Sequence, residues 1–145
     1  MLWKREAISD LRRYAAQKQS LQNIKERIRT LEQQYTSVRS NSAASTPVKG
    51  GGNRMEDAML DNIVLRDKLK LTRAVVSRIL KSIERGLNAL DKRDQIILHR
   101  FYIAPERGAA NRLAGELGVE VRQVYNLREQ ALYRFTLNQY GISEI

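Results

Sequence analysis

Residues 2 to 38 contain neither glycine nor proline. Over that length no residue offers the backbone a cheap way out of a helix, because the two residue types that break helices are both missing. Apolar side chains recur at Ala7, Leu11, Tyr14, Leu21, Ile24, Ile28, Leu31, Tyr35 and Val38, and from Leu21 the gaps run 3, 4, 3, 4, 3. This is the stripe of a helix that packs lengthwise on another helix. Lys18 interrupts the earlier register, so the spacing slips and a bend is expected near that residue. Residues 1–38 are read as one long N-terminal helix.

The next segment, RSNSAASTPVKGGGNR at 39–54, is rich in Ser, Gly, Asn and Ala and holds one Pro. It buries too little apolar surface to offset its ordering entropy and reads as a flexible linker. Its glycine run lacks the GK[ST] ending and the preceding strand of a phosphate loop. Helical spacing returns over 55–90 with Met59, Ile63, Leu69, Val76, Leu80, Ile83, Leu87 and Leu90, and Glu56-Asp57 suit a helix N-terminus. At ~1.5 Å per residue each long helix would extend roughly 50 Å, which suits an antiparallel hairpin or an intersubunit coiled coil. Two helices alone make a thin core, so burial needs the C-terminal helices, a second subunit, or both.

Residues 91–145 read as a separate domain built of shorter helices. In LDKRDQIILHRFYI, Asp91 is the expected N-cap with Asp94 three residues on, and Ile97, Leu98, Phe101 and Tyr102 form the apolar side. Ala104-Pro105 and Gly108 end that helix. His99 has no Cys or His near it and reads as structural or exposed. In LAGELGVEVRQVYNL a helix ending at Leu117 meets Gly118, which can take the positive φ of a tight turn, and a second helix begins near Glu120. Leu113, Ala114, Leu117, Val119, Val124, Leu127, Ala131 and Phe135 form one expected apolar surface, with Ala114 small where the helices cross. The pattern predicts a helix–turn–helix within an all-α fold, preceded by the long helical hairpin.

Composition narrows the chemistry. The chain has no cysteine and one histidine, so neither thiolate chemistry nor a zinc site is expected, and no cofactor. No apolar run approaches the ~20 residues that span a bilayer, and MLWKREAISDLRR is too charged for a signal peptide, so a cytoplasmic location in a bacterial host cell is expected. Twenty-six Lys and Arg against sixteen Asp and Glu give +10 and a pI near 10.2, which points to a polyanionic partner. Residues 1–90 carry +9 of this and residues 91–145 only +1. Any basic footprint is therefore expected mainly in the N-terminal part.

At 100° per residue, Arg122, Asn126, Glu129 and Tyr133 lie opposite the buried stripe of the second helix, with Gln123 and Tyr125 beside them. Arg can make a bidentate contact with guanine, and Asn or Gln with adenine. Because the first turns of a recognition helix enter the major groove, Arg122, Gln123 and Asn126 are the expected base readers. Tyr125, Arg128 and Arg112 would reach phosphates and so set register.

At these residues the chain resembles region 4 of the bacterial sigma factors. LDKRDQIILHRFY is similar to that region's first helix, and GVEVRQVYNLREQAL to its turn and recognition helix. The resemblance implies that helix 120–138 reads the major groove and places the base-facing positions at Val121, Arg122 and Asn126, Val121 offering only an apolar contact. The chain departs from that family at Ala109, where a capping Thr is usual, and at Glu120, where Ser or Thr is usual. Glu120 suits the helix dipole but would repel a phosphate. Nearly the whole chain is also similar to the small phage and prophage late-gene activators of the ArpU/RinA type. TPVKGGGNRMEDAML, the FYI pattern and VYNLREQALYRFTLNQYG carry that similarity.

The resemblance implies a sequence-specific transcriptional regulator, an activator of phage late or packaging genes, that binds double-stranded DNA. Its long helices would dimerise or contact host RNA polymerase, a dimer being the favoured homo-oligomer. The alternative is a small terminase-like oligomer that recognises viral DNA for packaging. No enzyme is expected, since Glu56, Asp57 and Asp61 have neither a metal-binding His nor a nucleophile to work with. A whole sigma factor is excluded too, because promoter melting needs an aromatic-rich helical domain and residues 1–90 offer only Trp3, Tyr14 and Tyr35.

Overall fold

The computed structural model describes residues 2–44 and 52–141, with side chains described over 2–40 and 54–141. Among these residues every regular element is helical, and the fold is all-α. Helix α1 spans Leu2–Ala44 and α2 spans Gly52–Asn88. They are followed by α3 (Lys92–Leu98), a π-helical turn (His99–Ile103), α4 (Ala109–Leu117) and α5 (Val121–Tyr140). No described helix is long and apolar enough to cross a membrane.

Helix α1 runs six residues past Val38, and α2 starts before Met55, so both ends of the segment expected to be a flexible linker are helical. The reason is local: RSNSAA lacks Gly and Pro and ends in two alanines, the best helix formers. The remainder of that linker, 45–51, lies outside the described residues. Helical hydrogen bonding passes through Lys18 without a break.

The chain divides into two compact units, Met1–Lys18 with Arg78–Ile145, and Gln19–Ser77. Their border in α1 falls at Lys18, where the apolar spacing slips. Within Gln19–Ser77 the two long helices lie side by side. Ile24, Ile28 and Leu31 of α1 are buried, as their spacing requires. Asn62 Nδ2 donates to the Leu31 carbonyl at 2.8 Å, and the Arg66 guanidinium sits 4.8 Å from the Tyr35 ring centroid. On the α2 side, no residue from 54 to 77 is buried.

The other unit holds two apolar clusters. In the first, Ala7 and Leu11 of α1 meet Ile83, Leu87 and Leu90 at the end of α2, together with Leu98, Tyr102, Ala131, Leu132 and Phe135. The second joins Ile97, Leu113, Val124 and Leu127, flanked by Phe101, Ala114, Leu117 and Val119. The apolar surface expected to be continuous along α4 and α5 is thus divided, because Ala131 and Phe135 belong to the first cluster. A 20-residue helix is about 30 Å long. The first half of α5 packs on α3 and α4, and its second half packs on the ends of α1 and α2.

Local chemistry sets the joints between these helices. Gln95 Nε2 donates to the Leu87 and Leu90 carbonyls at 2.8 and 3.2 Å, satisfying groups orphaned at the end of α2. Asp91 caps α3, its Oδ1 accepting from the Asp94 amide at 2.9 Å. The continuation of α3 through His99–Ile103 is a π turn rather than the α-helix its spacing suggested, with the Ala104 amide donating to the His99 carbonyl at 2.8 Å. The wider turn spreads Phe101 across both clusters and buries Tyr102 in the first. His99 itself is exposed.

Candidate nucleic-acid interface

Gly118 ends α4 in the left-handed conformation, φ 67°, and its amide donates to the Ala114 carbonyl, which also accepts from Val119 at 3.1 Å. A side chain at that φ would be strained, so the turn between α4 and α5 depends on glycine. Glu120 then takes the N-cap position of α5, and Val124 and Leu127 anchor the first turns to Ile97 and Leu113. Glu120 makes no capping hydrogen bond with its side chain. The N-cap of α4 is Gly108, also without a side-chain cap, and Ala109 follows as the first helical residue.

This frame presents Arg122, Gln123 and Asn126 to solvent, and Val121 half-buried beside them. Arg122 and Asn126 are four residues apart and therefore stack on one face. Among the described residues, none of the three polar side chains has an ion-pair or hydrogen-bond partner.

The three residues expected at phosphates stand differently from one another. Arg112 is exposed, with its Nη1 a loose 3.5 Å from Glu106 Oε2. Tyr125 is 43% exposed, its ring 6.2 Å from that of Phe101. Arg128 is committed to the protein itself. Its guanidinium lies 5.0 Å from the centroids of both Phe101 and Tyr125, and Nη2 approaches Glu129 Oε1 at 3.3 Å. A cation held against two ring faces and a carboxylate braces the corner between the π turn and α5. In this arrangement Arg128 supports Tyr125.

Further along α5, Tyr133 is 45% exposed, as its place opposite the buried stripe predicts, whereas Glu129 is half-buried, and both touch α1. Lys4 Nζ lies 2.6 Å from Glu129 Oε2, and Trp3 meets Tyr133 edge to face with centroids 5.9 Å apart. Tyr140 Oη and Gln139 Nε2 both donate to Asp10 Oδ2, at 2.9 and 3.2 Å. Burial alone would raise the Glu129 pKa, but Lys4 and Arg128 together hold it below the ordinary carboxylate value. The first turns of α1 thus pack against the second half of α5 and half-bury Glu129, while Gln130, Tyr133 and Tyr140 remain exposed. Trp3, Lys4 and Asp10 carry no local signal for this; they meet α5 only after more than a hundred intervening residues have folded.

The same packing relocates charge. Met1–Lys18 and Arg78–Ile145 together hold 16 basic and 10 acidic residues, net +6. Residues 1–18 and 78–90 supply +5 of this, so the excess charge comes mainly from the N-terminal part and is folded into the unit of α4 and α5. Lys4, Arg5, Arg12 and Arg13 line a surface cleft of about 570 Å³ there, with Ile8 and Ser9.

Fold and surface together define an all-α protein with an unpartnered polar face on the first turns of its last long helix. The chain matches no protein family, no curated protein and no solved structure.

Proposed function

We propose that the chain is a sequence-specific DNA-binding transcriptional regulator whose α4–turn–α5 element acts as a helix–turn–helix, with α5 in the major groove. The observation that carries this is the pair Arg122 and Asn126, stacked on the exposed face of the first turns of α5 and free of partners among the described residues. A bidentate donor for guanine and a donor–acceptor pair for adenine are the groups that read base edges. Gln123 stands beside them, and Val121 offers an apolar contact. Arg112 and Tyr125 serve phosphates at the rim. The net +6 of this unit supplies the sequence-independent attraction.

The resemblance to sigma region 4 supports the groove assignment. The resemblance to phage late-gene activators supports activation of late or packaging genes in a bacterial host, with RNA polymerase as the protein partner. No catalytic role is proposed.

Selection of bound fragments from random DNA, followed by titration of Arg122→Ala and Asn126→Ala against the selected site and random duplex, tests the reading. Each variant should lose about 1–3 kcal/mol on the selected site and little on random DNA. Equal losses on both would show that neither residue reads a base.

A further inference from the structure

Helix α2 displays a row of aliphatic side chains that no part of the described chain covers. Leu60, Val64, Leu71 and Val75 are 59%, 65%, 72% and 55% exposed. At 100° per residue they fall within an arc of about 60°, on the side of α2 turned away from Asn62 and Leu69, and they extend over ~22 Å. Four large aliphatics in line on a helix that buries none of its residues between 54 and 77 make a seam in want of a partner.

The spacing says what geometry would fit. Leu60 and Leu71, like Val64 and Val75, are eleven residues apart. An eleven-residue repeat keeps its face aligned on a nearly straight helix and does not require the left-handed winding of heptads. Charge says which partner and which direction. Residues 55–67 hold Glu56, Asp57, Asp61 and Asp67 against Arg66 alone, whereas residues 68–77 hold Lys68, Lys70 and Arg73 and no acid. Two copies laid parallel would set like charges together along the whole seam. Laid antiparallel, the acidic half of each lies beside the basic half of the other.

We propose that α2 pairs with α2 of a second copy of this chain, antiparallel, with Leu60 opposite Val75 and Val64 opposite Leu71. The two-fold axis then crosses the seam between Asp67 and Lys68, and every apolar layer is matched by its own symmetry mate. Asp67 and Lys70, which share one flank of the seam, meet the Lys70 and Asp67 of the other copy. The inference rests on the surface of residues 60–75 and does not depend on the DNA-binding reading. The interface is small, so the dimer forms in a concentration-dependent way.

The full chain has no cysteine, which makes orientation directly measurable. Under oxidation, a mixture of Val64→Cys and Leu71→Cys chains should give several-fold more cross-linked dimer than either variant alone. Self-cross-linking of Val64→Cys as strong as in the mixture would mean a parallel pair and overturn the proposal. Asp67→Lys and Lys70→Asp should each sediment as monomers while keeping wild-type helical circular dichroism, and mixing the two should restore the dimer. Wild-type chain that remains monomeric throughout the micromolar range overturns the proposal, whether or not the seam then holds RNA polymerase. A ring of many subunits overturns it as well.

Discussion

Arg134 grips the buried carboxylate of Asp94 with two hydrogen bonds, Nε to Oδ2 at 2.8 Å and Nη2 to Oδ1 at 3.3 Å. Asp94 is 1% exposed, whereas the Arg134 side chain is 42% exposed. The bond ties the first turn of α3 to the middle of α5 across forty residues. Removing the arginine strands a charge that water cannot reach, although solvent already screens part of the pair. Arg134→Ala should therefore cost about 2 kcal/mol in urea unfolding, and Arg134→Lys about half of that because it keeps the charge but not the planar fork. Wild-type stability of Arg134→Ala would show that the bond contributes nothing.

Gly86 lies inside α2, where alanine would ordinarily raise helix stability by about 1 kcal/mol. Here a Cβ would meet Phe135 Cε2 at 2.7 Å and Cδ2 at 2.9 Å, and the Phe135 side chain is fully buried. Overpacking outweighs propensity, and Gly86→Ala should destabilise the fold by about 1–3 kcal/mol. A gain in thermal midpoint on this substitution would mean that α5 can shift to make room.

Two phenols make the fold sensitive to alkali. Tyr14 Oη donates to Glu84 Oε1 at 3.0 Å and Tyr140 Oη to Asp10 Oδ2 at 2.9 Å. Burial first, and then the adjoining carboxylate, pushes each up to about 12. A phenol raised above its unfolded value of about 10 contributes its full stabilisation below that pH and loses it as the pH climbs towards 12. Unfolding free energy should fall over that window, and the fall should be shallower in Tyr14→Phe with Tyr140→Phe. An unchanged slope in the double variant would place the alkaline sensitivity elsewhere.

Arg128 and Arg112 should separate in a DNA-binding assay, on the reading of α5 as a recognition helix. Arg128→Ala removes the cation between Phe101 and Tyr125 and should cost about 1 kcal/mol of stability with the salt slope of DNA binding unchanged. Arg112→Ala should leave stability as it is and reduce the slope of log affinity against log salt by about 1. The reverse pattern would return Arg128 to the phosphate backbone.

What could be read along the chain was whatever neighbours in sequence decide. The glycine-free run, the 3 and 4 gaps from Leu21 to Val38, the cap at Asp91 and the bend at Gly118 depend on hydrogen bonds that close within one or two turns. Arg122, Gln123 and Asn126 could be singled out for the same reason, since helical phase alone opposes them to Val124 and Leu127. The extra turns of α1 and α2 were hidden by a Ser- and Gly-rich composition that also contains good helix formers. The π turn was missed because one inserted residue leaves the apolar pattern almost intact.

Sequence by itself determined that the chain is helical, where α4 must turn into α5, and which side of the early α5 faces outward. Tertiary structure alone decided that Arg128 sits against Phe101, that Glu129 and Tyr133 contact Lys4 and Trp3, and that Asp94 is matched by Arg134. Those outcomes follow from which helix ends meet in space. Pairings across twenty-seven to a hundred and thirty residues leave no local periodicity behind, because the contact is made by folding and not by spacing.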